Sequence, residues 1–183
     1  MVLCAPFLGL ARQGAAQPLT TFWAGGLARL LSLAGLGRIY FGGGPRKPIA
    51  FEANKVTRSR ERFARNMAFF NRHPHLGLGG PTARWVSECI RAMNALNRRA
   101  DSKDFRIPVL VLIAGADQIV PREAIDLSVR LLPAAHALVI DKAQHELLQE
   151  TDLARAATLA AILSFIPGTG PAALRTAPAE AAA

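Results

Sequence analysis

The 183-residue sequence has only two cysteines, Cys4 and Cys89, far apart in the chain and without a second Cys or His at metal-ligand spacing. This excludes a disulfide framework and a structural zinc site, and the expected setting is reducing and cytoplasmic. Long apolar runs are also lacking. The longest, residues 22–37, is interrupted by Arg29 and thinned by Gly25, Gly26, Gly35 and Gly37, so it does not make a membrane-spanning helix. No Lys or Arg precedes the apolar start MVLCAPFLGL, which reads as a buried strand rather than a secretion signal. Aromatic residues are scarce at 7%, and neither a stacking platform nor a nucleic-acid motif is found, so nucleic acid is not an expected partner. Apolar side chains are plentiful, at 51% of the chain, which is enough to bury the core of one domain.

Acidic residues are missing from one end. Residues 1–45 carry three arginines and no Asp or Glu, residues 46–106 carry fourteen basic and five acidic residues, and residues 107–183 carry five basic and eight acidic. The net charge of +9 is therefore concentrated in the middle of the chain. Such a basic module is either a solvated surface or one that meets phosphate or anionic lipid.

The pattern changes along the chain. Val2 to Ala5 is a short apolar run closed by Pro6, a buried strand and loop. Residues 20–37 form a soft, glycine-rich helix, and the run from Phe41 to Pro45 is a flexible break. Phe63, Met67 and Phe70 place one apolar stripe on a helix from Ser59 to Arg72, with Arg58, Arg62, Arg65 and Arg72 on its opposite side. The turn-rich stretch LGLGGP at 76–81 leads to a second helix, Thr82 to Arg98. Val86, Cys89, Ile90 and Met93 form its inner face, and Arg84, Arg91 and Arg98 its outer one. Ile107 to Ala114 is apolar on both faces, as a central parallel strand is. Pro121 opens a helix whose buried face is Ile125, Val129 and Leu132. Ala137 to Ile140 is a further strand. Thr151 caps a last helix, whose Leu153, Ala156, Ala157, Ala160 and Leu163 share a side. Strand, helix, strand and helix joined by short links make a right-handed parallel α/β unit.

Asp117 follows the strand that ends at Ala114, and His145 follows the strand that ends at Ile140. Parallel sheets build their sites at the carboxyl ends of strands. An acid there can fix the tautomer of a histidine, which then serves as a general base. Taken alone, Asp117 is a turn or cap residue and His145 a surface histidine; it is the pairing on successive strands, acid before histidine, that points to chemistry.

Four segments resemble the α/β-hydrolase family, in its lysophospholipase, monoacylglycerol lipase and serine-aminopeptidase-like branch. APFLGL at 5–10 is similar to the loop after the sixth strand. RFARNMAFFNRHPHLGLGGPTARWV at 62–86 resembles a bacterial lysophospholipase lid. PVLVLIAGADQIV at 108–120 resembles the seventh strand and acid loop, and HELLQE at 145–150 the histidine loop. The resemblance implies the C-terminal portion of an α/β-hydrolase fold, with about three parallel strands and flanking helices, plus a helical lid. Residues 1–10 would be a core strand and loop, 11–104 the lid, 105–167 the core with its acid and histidine loops, and 168–183 a disordered tail. Asp117 becomes the catalytic acid and His145 the catalytic base. No metal or cofactor is implied.

The sequence departs from the family in two places. Lys142-Ala143-Gln144 stands where the family has a glycine shortly before its histidine. The Gly-x-Ser-x-Gly turn that carries the nucleophile occurs nowhere in the sequence. None of the six serines, Ser32, Ser59, Ser87, Ser102, Ser128 and Ser164, sits in a strand–turn–helix elbow. The expectation is thus a truncated serine ester hydrolase, inactive as it stands, whose family substrates are lysophospholipids or monoacylglycerols. Its basic lid would meet an anionic membrane surface, and its first strand would leave an edge open to self-association. A non-catalytic remnant or interaction module of the same fold is the alternative. The same fold also carries dehalogenase, epoxide hydrolase and acyltransferase chemistry.

Overall fold

The computed structural model describes residues 1–9, 17–99 and 106–167, with the side chains of 17–22 and 97–99 left aside. The expected tail from residue 168 and the last residue of the APFLGL segment lie outside these residues. Three parallel strands form the sheet: β1 (Val2–Cys4), β2 (Val109–Ala114) and β3 (Ala135–Ile140), with β2 in the centre. Leu3 lies opposite Val111, and Val111 opposite Ala137, so all three strands run in step toward one carboxyl edge.

Every residue of β2 is buried, as its unbroken apolar sequence requires of a strand covered on both faces. Alternate residues feed two cores. Leu110, Leu112 and Ala114 point to one face, where they join Ala5, Ile140, Ala143 and Leu147. Val109, Val111 and Ile113 point to the other, with Val120 and Ile125. Helix α4 (Arg122–Arg130) covers the second core through Ile125 and Val129, and α5 (Asp152–Phe165) covers the first through Ala154, Ala161, Ile162 and Phe165. β2 begins at Val109 rather than at Ile107 because Pro108 has no N–H to give the ladder. Its carbonyl accepts the chain's N-terminal ammonium instead.

The side that Leu153, Ala156, Ala157, Ala160 and Leu163 of α5 share is its outer one. Leu153 is 85% exposed, and Ala156, Ala157 and Ala160 are exposed with it; Thr158 is the residue fully buried. An Ala-rich helix has small side chains all round, so apolar spacing alone does not choose its face. Thr151 does take the N-cap position, but its side chain caps nothing. Its backbone N–H donates to the Glu150 carboxylate.

Between β1 and β2 lies the helical part: α1 (Gln17–Leu33), α2 (Arg60–Arg72) and α3 (Ala83–Arg99). Helix α1 ends earlier than expected because Gly35 takes a left-handed conformation (φ +79°), and the N–H groups of Gly35 and Leu36 turn back onto Ser32 and Leu31. Helix α1 packs on α3, with Gly25 against the Ile90 side chain. Phe63, Met67 and Phe70 on α2, and Val86, Cys89, Ile90 and Met93 on α3, are buried or half-buried as their spacing predicts. The glycines expected to form a flexible connection instead allow two backbones to touch. Tyr40 bridges Thr82, Gly80 N–H donates to Gly44 O at 2.8 Å, and a Cβ on Gly80 would strike Gly42 O.

Candidate functional site

At the carboxyl edge of the sheet the loops after β2 and β3 are tied together. Gly115 N–H donates to Ile140 O at 2.9 Å, and Ala116 N–H to Ala143 O at 2.8 Å. Gly115 allows this approach, since a Cβ there would meet Ile140 O at 2.9 Å and Lys142 N at 3.1 Å. In the sequence this glycine stands directly after the apolar run, in AGADQIV.

This tie sets Asp117 against His145. Asp117 Oδ1 accepts from the N–H groups of Ile119 (2.8 Å) and Val120 (3.1 Å), which fixes the carboxylate plane. Its Oδ2 stands 2.9 Å from His145 Nδ1. The carboxylate is almost sealed, at 4% exposure, while the imidazole is 25% exposed. A carboxylate that can only accept selects the tautomer with the proton on Nδ1. Nε2 then keeps its lone pair, and it has no hydrogen-bond partner among the described residues. An imidazole so held is ready to take a proton through Nε2 and return it. The two residues singled out in the sequence are therefore brought together.

Lys142 shows how the histidine loop keeps its shape without the expected glycine. Its backbone takes the left-handed conformation itself (φ +55°). Its carbonyl accepts from the Arg58 guanidinium at 3.1 Å.

Sequence reading missed a second carboxylate. Glu150, the last residue of HELLQE, is fully buried. Its Oε1 accepts from Arg58 N–H at 2.8 Å and Gln144 N–H at 3.1 Å, and its Oε2 from Thr151 N–H at 2.8 Å. Of the arginines read as an outer basic face, Arg58, Arg62 and Arg65 turn toward this loop, while Arg72 donates to Ala68 O of its own helix. Arg62 donates to Glu150 O at 2.6 Å and pairs with Asp152, and Arg65 donates to Gln149 Oε1 at 2.7 Å. Thr57 Oγ1 donates to Gln149 O at 2.6 Å, and Glu146 N–H to Val56 O at 2.8 Å. Glu146 itself is half-buried, and that burial raises its carboxyl pKa above the ordinary range, against a smaller lowering by His145.

Three serines hold structural places. Ser32 and Ser128 donate to carbonyls one turn back, and Ser59 caps α2 by accepting from Arg62 N–H. Ser87 and Ser164 lie on α3 and α5, and Ser102 falls outside the described residues. Among the described residues no serine is hydrogen-bonded to His145. Among them, too, no group of three His, Cys, Asp or Glu stands close enough to hold a metal, and no helix is long and apolar enough to cross a membrane.

The family described as serine aminopeptidase S33 matches residues 1–152. A probable lysophospholipase L2 of Haemophilus influenzae is 30% identical over 166 residues, which is 90% of this chain and 50% of that protein. Lysophospholipase L2 of Escherichia coli is 35% identical over 131 residues, 68% of this chain and 38% of the relative. The chain thus spans half or less of the length of these curated relatives. Among solved structures, a soluble variant of monoglyceride lipase from Saccharomyces cerevisiae superposes with a TM-score of 0.57 at 16% identity, over 88% of this chain and 53% of that one. A monoacylglycerol lipase from Paleococcus ferrophilus gives 0.54 at 19%, over 88% and 56%. At these identities the two structures speak for the fold.

Proposed function

The chain belongs to the serine aminopeptidase S33 family of α/β-hydrolases, and on that premise we propose that it carries the acid and base of a lipid ester hydrolase. The observation that carries this reading is the 2.9 Å contact between Asp117 Oδ2 and His145 Nδ1, at the carboxyl ends of adjacent parallel strands. In this reading Asp117 orients His145 and stabilises its imidazolium. His145 takes the proton of a serine hydroxyl as that oxygen attacks the ester carbonyl, and passes it to the leaving alcohol. A water activated by the same base then releases the fatty acid. The serine belongs to a Gly-x-Ser-x-Gly turn, which these 183 residues do not contain, so the chain alone is inactive.

The substrate class we propose is a monoacyl lipid, a lysophospholipid or monoacylglycerol. The names of the sequence relatives favour it, and the concentration of positive charge in residues 46–106 suits a phosphate headgroup or an anionic lipid surface. Residues 11–104 are then the lid over the acyl chain.

The test joins this chain to the preceding part of the Escherichia coli relative and assays a lysophospholipid, a monoacylglycerol and an aminoacyl amide. Hydrolysis of the lipids and not of the amide is the expected result. Ester hydrolysis by the isolated chain that is lost in His145→Ala would mean a nucleophile within these 183 residues and would overturn the proposed division of the site.

A further inference from the structure

We infer that Glu150 is the positioning residue of the histidine turn, coupling the placement of His145 to the docking of residues 56–62. The inference rests on the proposed role of His145 as base. A buried carboxylate must find donors for its oxygens, and among the described residues Glu150 finds three backbone N–H groups and no side-chain cation. One belongs to Gln144, immediately before His145. One belongs to Thr151, where α5 begins. The third belongs to Arg58, in the segment leading into α2. A single side chain thereby closes the turn from 144 to 151 on itself and joins it to a segment about 90 residues earlier.

That segment makes further contacts of the same kind. Val56 O receives the N–H of Glu146, immediately after His145, and Thr57 Oγ1 donates to Gln149 O. Arg58 holds the carbonyl of Lys142. The backbone is therefore gripped on both sides of His145, by Glu150 at residue 144 and by Val56 at residue 146. The Asp117 loop is tied to Ile140 and Ala143 through the N–H groups of Gly115 and Ala116, so its hold on the histidine loop stops at Ala143, and residues 144–146 depend on Glu150 and Val56. If Glu150 is lost, three N–H groups lose their acceptor and residues 144–151 are held less firmly against Asp117. Movement of residues 56–62 would reach His145 by the same contacts, so the base is in place only while that segment is docked.

The test uses the whole chain and follows the Nδ1-bound proton of His145 by ¹⁵N-edited NMR, with His145→Ala to assign it among the four histidines. Its exchange rate with solvent is compared in Glu150→Ala, Glu150→Gln and Thr57→Val. Ile125→Val, in the core on the other face of the sheet, is the reference for a general loss of stability. Glu150→Ala should speed exchange about tenfold or more relative to Ile125→Val. Glu150→Gln keeps one oxygen for Arg58 and Gln144 and should speed it only about threefold. Thr57→Val, which leaves Glu150 intact, should fall between the parent and Glu150→Ala. Exchange in Glu150→Ala equal to that in Ile125→Val overturns the inference; should the alanine variant not fold, equality in Glu150→Gln does so. A parent with no Nδ1-bound proton would contradict the Asp117–His145 pairing instead. Glu150 is then judged by the backbone exchange of Gln144 and Thr151, and no change there in the Glu150 variants overturns it.

Discussion

Lys142 and Glu146 flank His145, and both are held in conditions their side chains do not favour. The left-handed backbone at Lys142 costs a residue with a Cβ about 1–2 kcal/mol, and glycine adopts it freely. Glycine also loses more chain entropy on folding, so Lys142→Gly should stabilise by only about 0.5–1 kcal/mol. A rise in the denaturant midpoint at unchanged slope is the expected reading. Glu146 has its carboxyl pKa raised by burial. A raised pKa means that the folded state holds this proton more tightly than the unfolded chain does. The benefit is full below the ordinary glutamate range and is lost as pH rises through the folded-state value. Glu146→Gln should therefore raise the unfolding midpoint at pH 7 and leave it nearly unchanged at pH 3.5. A larger gain at the acid pH would contradict the assignment of burial as the dominant cause.

Among the elements, those with a strong and exclusive pattern could be read from the sequence. The unbroken apolar run of β2 gave its central place, and Phe63, Met67 and Phe70 gave the inner face of α2. Asp117 and His145 could be placed because strand ends are fixed once the strands are known. Three features were not legible, each for a physical reason. The α5 face was ambiguous because alanine fits either side. The role of Glu150 depends on N–H groups at positions 58, 144 and 151, and backbone donors leave no trace in composition. The arginines of α2 look like a solvated stripe until the partner loop is in place. Two substitutions measure the packing. Leu112→Ala, in the two-sided core strand, should cost about 3–5 kcal/mol. Leu153→Ala, on the exposed side of α5, should cost less than about 0.5 kcal/mol. Denaturant unfolding of both separates a buried from an exposed face directly.

For the molecule as a whole, the two cores are joined by one small sheet, and two sets of contacts among the described residues fasten the helical part to it. One is the cluster of contacts from 56–62 to 142–152. The other is Phe7 against Trp85, with ring centroids 5.8 Å apart. Among the described residues, β1 pairs with β2 on one side only, so its outer backbone groups are available to another strand. We therefore expect the isolated chain to self-associate, with light scattering showing a mass that rises with concentration. A constant monomer mass across that range would count against an open edge.

The central claim is that Asp117 and His145 act as one acid–base unit on an ester. The most direct measurement is the steady-state hydrolysis of a lysophospholipid by the joined protein described above, with Asp117→Asn and His145→Ala made in this chain. Asp117→Asn should lower kcat by roughly 10⁴-fold with KM little changed, because the imidazole then adopts the wrong tautomer. His145→Ala should lower it at least as far. A joined protein that keeps its kcat in either variant would contradict the account.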